Sequence, residues 1–375
     1  MRNQFITFLS GIIVFVSCAQ ESKNETPTNG TVTYTLETVA ATSEIPWGMD
    51  FLPDGSFLFT EKSGNLIHFK NGEKIQIQNV PPVYFSGQGG LLDVAVHPDF
   101  DSNNLIYLTL ASDEGSGNGG NTALVRAALV NNRLESVEVL YKAVPNTTAG
   151  QHFGSRVIFD RNGFVYFSIG DRGNRDENPQ DITRDGGKVY RLHDDGRIPS
   201  DNPFVNETNA KTATYSYGHR NIQGMALHPA TGEIWTHEHG PRGGDEINII
   251  KKGENYGWPL ATFGTNYNGT PITENTSLPG MEDPLYQWTP SIAPSGMAFV
   301  NSNKYPKWDG ELLVGSLVFQ YLELVSIEGN TVKNTERLFD GIGRVRDVRQ
   351  GPDGYIYLAV EGKGILRIVP ETEQP

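Results

Sequence analysis

A histidine and a carboxylate give this chain its most direct chemical possibility. His152 stands in QHFGSR (151–156), in a loop just before a strand-like run, and Asp171 stands in IGDRG (169–173), just after the next such run. The two ends of an antiparallel hairpin lie side by side, so Asp171 is expected to hold the His152 imidazole. A carboxylate that orients a histidine is the usual support for a general base; a lone histidine would more simply satisfy a turn. Four further segments add polar groups. In YGHRNIQG (217–224), the guanidinium of Arg220 beside the carboxamide of Asn221 suits an oxygen-rich anion or a quinone. In SGQGGLLD (86–93), glycines allow close backbone approach, and Gln88 can donate to and accept from a hydroxyl-rich ligand. In GRVRD (343–347), Arg344 and Arg346 share one face of an extended segment and form an anion site suited to carboxylates. In THEHGPRGGDEIN (236–248), followed by NYGWP (255–259), the main-chain carbonyls around Gly240 and Pro241 suit a hard cation such as Ca²⁺. His237 and His239 are expected to diverge and not to share a transition metal. Each segment also has a plainer use, as a blade connection, a surface arginine pair or a Gly-rich turn. A phosphate loop, a Rossmann fingerprint and a Ser-centred elbow are all absent from the sequence.

These residues lie between copies of one pattern, in which an apolar strand, a Pro/Asp/Gly-type turn and a second alternating strand follow one another. The copies are Gly48–Thr60, Leu91–Leu110, Ser155–Gly170, Gln223–Glu238, Ser295–Ser316 and Val345–Val360. Alternation such as that of Tyr355, Ile356 and Tyr357 is strand periodicity. The Asp-Gly steps supply the positive φ that tight hairpins need. Repeats at this period mean a solenoid, a propeller or an array. Each unit has room for four short strands, and no amphipathic helix of useful length intervenes. The expectation is therefore an all-β fold, a six-bladed β-propeller with four-stranded antiparallel blades, seven blades being the main alternative. GILRIV (364–369) is expected to pair with TVTYTL (31–36) to close the ring and remove an open sheet edge.

With 42 Gly, 22 Pro and 15 Tyr, the composition agrees with many short strands and turns. A net charge of -14 argues against a nucleic-acid partner. At the N-terminus, Arg2 precedes an apolar run from Phe5 to Val16, too short for the ~20 residues of a membrane span. Residues 1–18 read as a signal peptide of lipoprotein type, with Cys18 as the lipidated residue. Residues 19–33 read as a flexible tether, 34–370 as the propeller and 371–375 as a tail. The expected location is exported, periplasmic or at the cell surface, and anchored to the membrane through lipid alone. Cys18 is the sole cysteine, so no intramolecular disulfide can form.

Taken in order, GQGGLLDVAVHPDF (87–100), GHRNIQG (218–224), EHGPRGGDEIN (238–248) and NYGWP resemble the soluble quinoprotein glucose/sorbosone dehydrogenase family, in particular its aldose sugar dehydrogenase branch. The resemblance runs from IPWGMD (45–50) to Ile368. It implies a six-bladed propeller that binds pyrroloquinoline quinone (PQQ) and Ca²⁺ on its loop face. The implied reaction oxidises an aldose sugar at C1 to the lactone, with hydride transfer to the quinone and an external electron acceptor. Carried over by motif, His152 is the base and Asp171 its orienting partner. Arg220 and Asn221 meet the quinone oxygens, and Arg220 also stabilises developing negative charge. His239 and Tyr267 lie beside the cofactor, Arg344 and Arg346 pair with its carboxylates, and Gln88 meets the sugar. Gly240 and Pro241 offer carbonyls to the cofactor Ca²⁺, while Glu246 and Tyr256 resemble a second, structural Ca²⁺ site. One position departs from the family: in GSLVFQ (315–320), Val318 stands where a cofactor-contacting lysine is usual. That weakens cofactor recognition unless Gln320 or another group substitutes. The long inserts of the glucose-specific branch are also missing, which implies a broad aldose specificity. Val318 keeps open a different class, a non-catalytic carbohydrate- or protein-binding surface propeller. A Ca²⁺-dependent lactonase ranks last, because no ring of inward carboxylates is evident.

Overall fold

Each of the six repeated segments forms the inner hairpin of one blade. The computed structural model describes residues 33–371; the expected signal peptide, Cys18, most of the tether and most of the tail lie outside them. In chain order the inner hairpins pair Pro46–Phe51 with Phe57–Glu61 and Leu91–Val96 with Leu105–Ser112. Val157–Phe159 pairs with Val165–Ile169, and Ile222–Leu227 with Ile234–Glu238. Pro294–Phe299 pairs with Leu312–Ser316, and Val345–Gln350 with Ile356–Val360. Two more strands complete each antiparallel four-stranded sheet. The one helix among the described residues is the single turn Phe100–Asn103.

The sixth blade takes its outermost strand from the other end of the chain. Thr33–Ala40 pairs with Gly364–Glu371, with Leu36 opposite Ile368. Tyr34 is buried from this closing strand, its ring 4.4 Å from that of Trp308 and 5.4 Å from that of Tyr305. Tyr305 in turn donates its hydroxyl to Ile368 O (2.6 Å) and accepts from Ile356 N (3.0 Å). The closure is thus packed as well as hydrogen-bonded.

The inner strands are bulged at recurring positions, with register shifts between Pro46 and Met49, Leu91 and Val94, Ile222 and Gly224, Ser295 and Met297, and Val345 and Asp347. A bulge re-aims the side chains beside it. Two carboxylates are nevertheless buried where blades 2, 3 and 6 meet. Asp93 and Asp347 are fully buried there, and Arg156 and Arg349 lie between them. Arg156 Nη1 is 3.4 Å from Asp93 Oδ1 and 3.1 Å from Asp347 Oδ1. Arg349 meets the same two carboxylates at 3.4 and 3.3 Å. These carboxylates are already paired, so they tie blades 2, 3 and 6 together and do not form an open ring of metal ligands.

Candidate active site

The loop that leads into blade 3 and the loop between its second and third strands bring His152 and Asp171 together. His152 lies before the inner strand of blade 3, and Asp171 follows the second strand. The imidazole Nδ1 and Asp171 Oδ1 are 2.6 Å apart. Asp171 is held from two more directions, by Gly173 N at Oδ1 (2.7 Å) and by the Trp258 indole N–H at Oδ2 (2.9 Å). Burial alone would raise its pKa, but the bond to His152 and the charges of His152 and Arg220 outweigh it, so the carboxyl sits below its usual value. His152 is also pushed down, first by burial and then by Arg220, against the opposing pull of Asp171. Both shifts favour a carboxylate beside a neutral imidazole. That imidazole donates from Nδ1 and leaves Nε2 free, because an ionised carboxylate can only accept. His152 adopts a left-handed φ of 58°, uncommon for a residue with a Cβ. Its N–H donates to Gln88 Oε1 (2.8 Å), so backbone and ring are both pinned.

His152, Asp171, Gln88, Arg220, Pro241 and Tyr267 line one cavity of about 480 Å³. Tyr267 stands at its mouth, 74% exposed. A neighbouring cavity of about 280 Å³ shares Gln88 and is lined by His239, Arg344, Arg346 and Lys62. Arg344 Nε and Arg346 Nε contact the two oxygens of Glu361, at 3.0 and 2.5 Å. Glu361 had not been recognised in the sequence; it lies just past Val360, the residue paired with Val345, so the hairpin register brings it to the arginines. Lys62, from blade 1, was also missed. Its Nζ donates to Gly87 O (2.6 Å), and its pKa is lowered by burial and then by Arg346. Three cations against one carboxylate leave this cavity positive. Val318 is 51% exposed on the 317–320 turn and supplies no charge, so Lys62 is the lysine of this cavity.

Arg220 is buried, and its Nη1 donates to His239 O (3.0 Å) and Gly240 O (2.8 Å). Asn221 is buried with its Oδ1 accepting from Gly154 N (3.1 Å), so its carbonyl oxygen ties the blade-3 loop. His237 and His239 do not diverge as expected. Residues two apart on an extended chain share a face, and both Nε2 atoms reach carbonyls of the same neighbouring strand, Gly296 O (3.1 Å) and Pro294 O (2.8 Å). Both rings are thereby engaged with main chain.

The Gly-rich turn of blade 4 is a cradle. A Cβ on Gly240 would lie 2.2 Å from Gly244 O and 2.3 Å from Gly243 O, so only glycine lets these carbonyls converge. Below it, Glu238 and Glu246 are directly opposed across the hairpin. Glu246 is pushed well above the carboxylate range, by burial first and then by Glu238. Asn248 Oδ1 is buried nearby with no partner. Two carboxylates and an unpaired carbonyl oxygen suit a hard cation. Glu246 and Tyr256 do line one small space together with Glu238. The Tyr256 hydroxyl, however, donates to Ile249 O (2.6 Å) and accepts from Lys251 N (2.8 Å), which takes the phenol out of a ligand role.

The chain matches known proteins over most of its length. The family model described as Glucose / Sorbosone dehydrogenase matches residues 43–367. The aldose sugar dehydrogenase YliI of Escherichia coli (strain K12) is 40% identical over 350 residues, 91% of this chain and 94% of that protein. The structure of the soluble aldose sugar dehydrogenase from Escherichia coli in the apo-form superposes with a TM-score of 0.86, over 90% of this chain and all of that one, at 40% identity. The PQQ-bound form of an aldose sugar dehydrogenase from Streptomyces coelicolor gives a TM-score of 0.74 at 27% identity, over 90% and 98% of the two chains. The chain is an oxidoreductase and belongs to the glucose/sorbosone dehydrogenase family.

Proposed function

We propose that this protein oxidises aldose sugars at C1 to the lactone, with PQQ and Ca²⁺ as cofactors. The observation that carries the reading is the His152–Asp171 pair, with a free Nε2, facing a cavity shared with Arg220 and adjoining a cation-lined one. PQQ bears carboxylates, and Arg344, Arg346 and Lys62, offset in part by Glu361, leave a net positive charge to receive them. The Gly240 cradle and the Glu238–Glu246 pair offer oxygen donors of the kind Ca²⁺ takes. Gly240 O now accepts from Arg220, so a cation at that oxygen would displace this bond.

When bound, the quinone supplies the acceptor for the hydride leaving C1, and Ca²⁺ supplies Lewis acidity at its carbonyl. His152 Nε2 takes the proton of the C1 hydroxyl. The resulting imidazolium is held and stabilised by Asp171. Arg220 places positive charge where negative charge develops. Gln88 Oε1 is engaged by His152 N, so its amide N–H₂ is the end left for a sugar hydroxyl. Turnover would further require an external acceptor to reoxidise the bound quinone. The export signal and the lipid at Cys18 belong to this same proposal, since they would place the enzyme where extracellular sugars arrive.

The test is reconstitution of the purified protein with PQQ and Ca²⁺, followed by dye-linked oxidation of a panel of aldoses. His152→Ala should lose activity by about 10²- to 10⁴-fold, the usual contribution of a general base, while PQQ titration followed by absorbance stays near wild type. Failure of the wild-type protein to bind PQQ would return the reading to a non-catalytic propeller.

A further inference from the structure

The residue after Asp171 reaches back to the loop that carries His152. Arg172 is 1% exposed and adopts a left-handed φ of 56°. Its guanidinium goes to main-chain carbonyls: Nη1 donates to Gln151 O, and Nη2 donates to Ala149 O (2.7 Å) and Gly120 O (3.1 Å). The guanidinium carbon also lies 3.5 Å from the centroid of the Phe153 ring. Arg172 therefore grips the chain on both sides of His152, at 151 and at 153. Phe153 is itself fixed, since its ring is buried with Trp47, Leu92 and Ala111 and its carbonyl accepts from Thr122 Oγ1 (2.7 Å).

Burying a cation is costly, and burial lowers the Arg172 pKa to about 10, so the group stays charged at neutral pH. Where blades 2, 3 and 6 meet, the buried arginines Arg156 and Arg349 are paired with carboxylates. Arg172 instead directs its donors to one loop. From Thr148 to Arg156 that loop has no strand or helix to set its path, so side chains must set it. The planar fork of an arginine can hold several carbonyls at once, which the point charge of a lysine cannot. His152 sits at a left-handed φ of 58°, a conformation that persists only where the surroundings over-determine it. Two consecutive residues divide this task. Asp171 holds the ring at Nδ1, and Arg172 holds the main chain to either side. Arg172 lines neither cavity, so its effect on the chemistry passes through His152.

We propose that Arg172 is a positioning residue for the general base, holding the Ala149–Phe153 stretch so that the His152 ring stays on Asp171 with Nε2 toward the reaction cavity. The inference rests on the reading of His152 as the base. Arg172 also contributes charge. Together with Arg220 it opposes protonation of the imidazole, and Asp171 favours it.

The experiment uses the full chain with ¹⁵N-labelled histidine, first without cofactor or sugar. His152→Gln assigns the His152 ring signals among those of the eight histidines. In the wild type the neutral ring should be the Nδ1-protonated tautomer. Arg172→Gln removes both the fork and the charge. The His152 titration midpoint should then rise toward the ordinary histidine value, and the ring should become a mixture of tautomers. Arg172→Lys, which keeps the charge, should fall between the two. In the reconstituted enzyme Arg172→Gln should lose about 10²-fold in kcat, the scale of a catalytic group misplaced by ~1 Å. The sugar KM and the PQQ titration should stay near wild type. A folded Arg172→Gln protein with the wild-type His152 midpoint and tautomer would overturn the proposal. Failure of both variants to fold would assign Arg172 to the stability of the propeller and overturn it too. A wild-type protein that binds PQQ but stays inactive would instead remove the premise that His152 is a base. The histidine titration does not depend on activity, so the two failures are told apart.

Discussion

In His152 one ring nitrogen is fixed and the other is left open, and this division sets the pH response. On the proposed mechanism, His152 works as a base only when neutral. Burial and Arg220 hold its pKa below the ordinary histidine value, while Asp171 pulls the other way. Activity is therefore retained as pH falls below the usual histidine range and is lost only on passing the depressed value. Asp171→Asn removes the group that raises the pKa, so the acidic limb of the kcat/KM profile should move further down. The maximal rate should fall by ~10²-fold or more, because the imidazole loses its preferred tautomer and the imidazolium its counter-charge. Unchanged limbs in the variant would show that Asp171 acts only in folding. This pair was legible in the sequence because both residues flank one hairpin. Lys62 and Trp258 were not, because they reach the site from blades 1 and 4, and nothing local to either residue marks its destination.

Among the elements, the hairpin of blade 4 does the most to shape the proposed cation site. Its register places Glu238 opposite Glu246, and like charges directly opposed on a sheet are destabilising. Glu238 is partly compensated by His219 Nδ1 (2.9 Å) and Arg220 N (2.6 Å); Glu246 has only Asn248 Nδ2, at 3.3 Å. A divalent cation would offset the remainder. Ca²⁺ should therefore raise the melting temperature of the wild-type protein, by ~2.7 kcal/mol of stability at a hundredfold excess over Kd. Glu246→Gln should melt higher than wild type when Ca²⁺ is chelated, and should lose the Ca²⁺ increment. Equal increments in both proteins, measured by calorimetry, would remove Glu246 from the site. The sequence drew attention to Glu246 and Tyr256 through their motif. It could not show Glu238 as the opposing partner, because the register depends on how the 240–244 turn folds, nor that the Tyr256 phenol turns to Ile249 O and Lys251 N.

Across the whole molecule, a ring of blades stands or falls with its closure, because every blade but the last is built from contiguous chain. The repeat period made six blades readable, and the position of GILRIV (364–369) directly after the sixth repeat made its pairing with TVTYTL (31–36) readable. The axial pairing of Asp93 and Asp347 with Arg156 and Arg349 was not, since its members come from blades 2, 3 and 6 and only the assembled ring brings them together. Closure itself rests on Thr33–Ala40 lying beside Gly364–Glu371, and Tyr34 is the side chain that locks this strand into the core of Tyr305 and Trp308. Tyr34→Ala removes a buried aromatic whose site is walled by rigid rings and collapses poorly. The expected loss is ~3–5 kcal/mol, as for other large-to-alanine changes in a core. Hydrogen exchange should localise it: amides of 33–40 and 364–371 should lose protection first, while those of blades 2 to 4 change little. Because the His152–Asp171 pair sits in the blade-3 loops, its geometry should survive in whatever fraction remains folded. Global unfolding with no early exchange at the seam would instead mean that the ring melts as one unit, with closure no weaker than any other contact between blades.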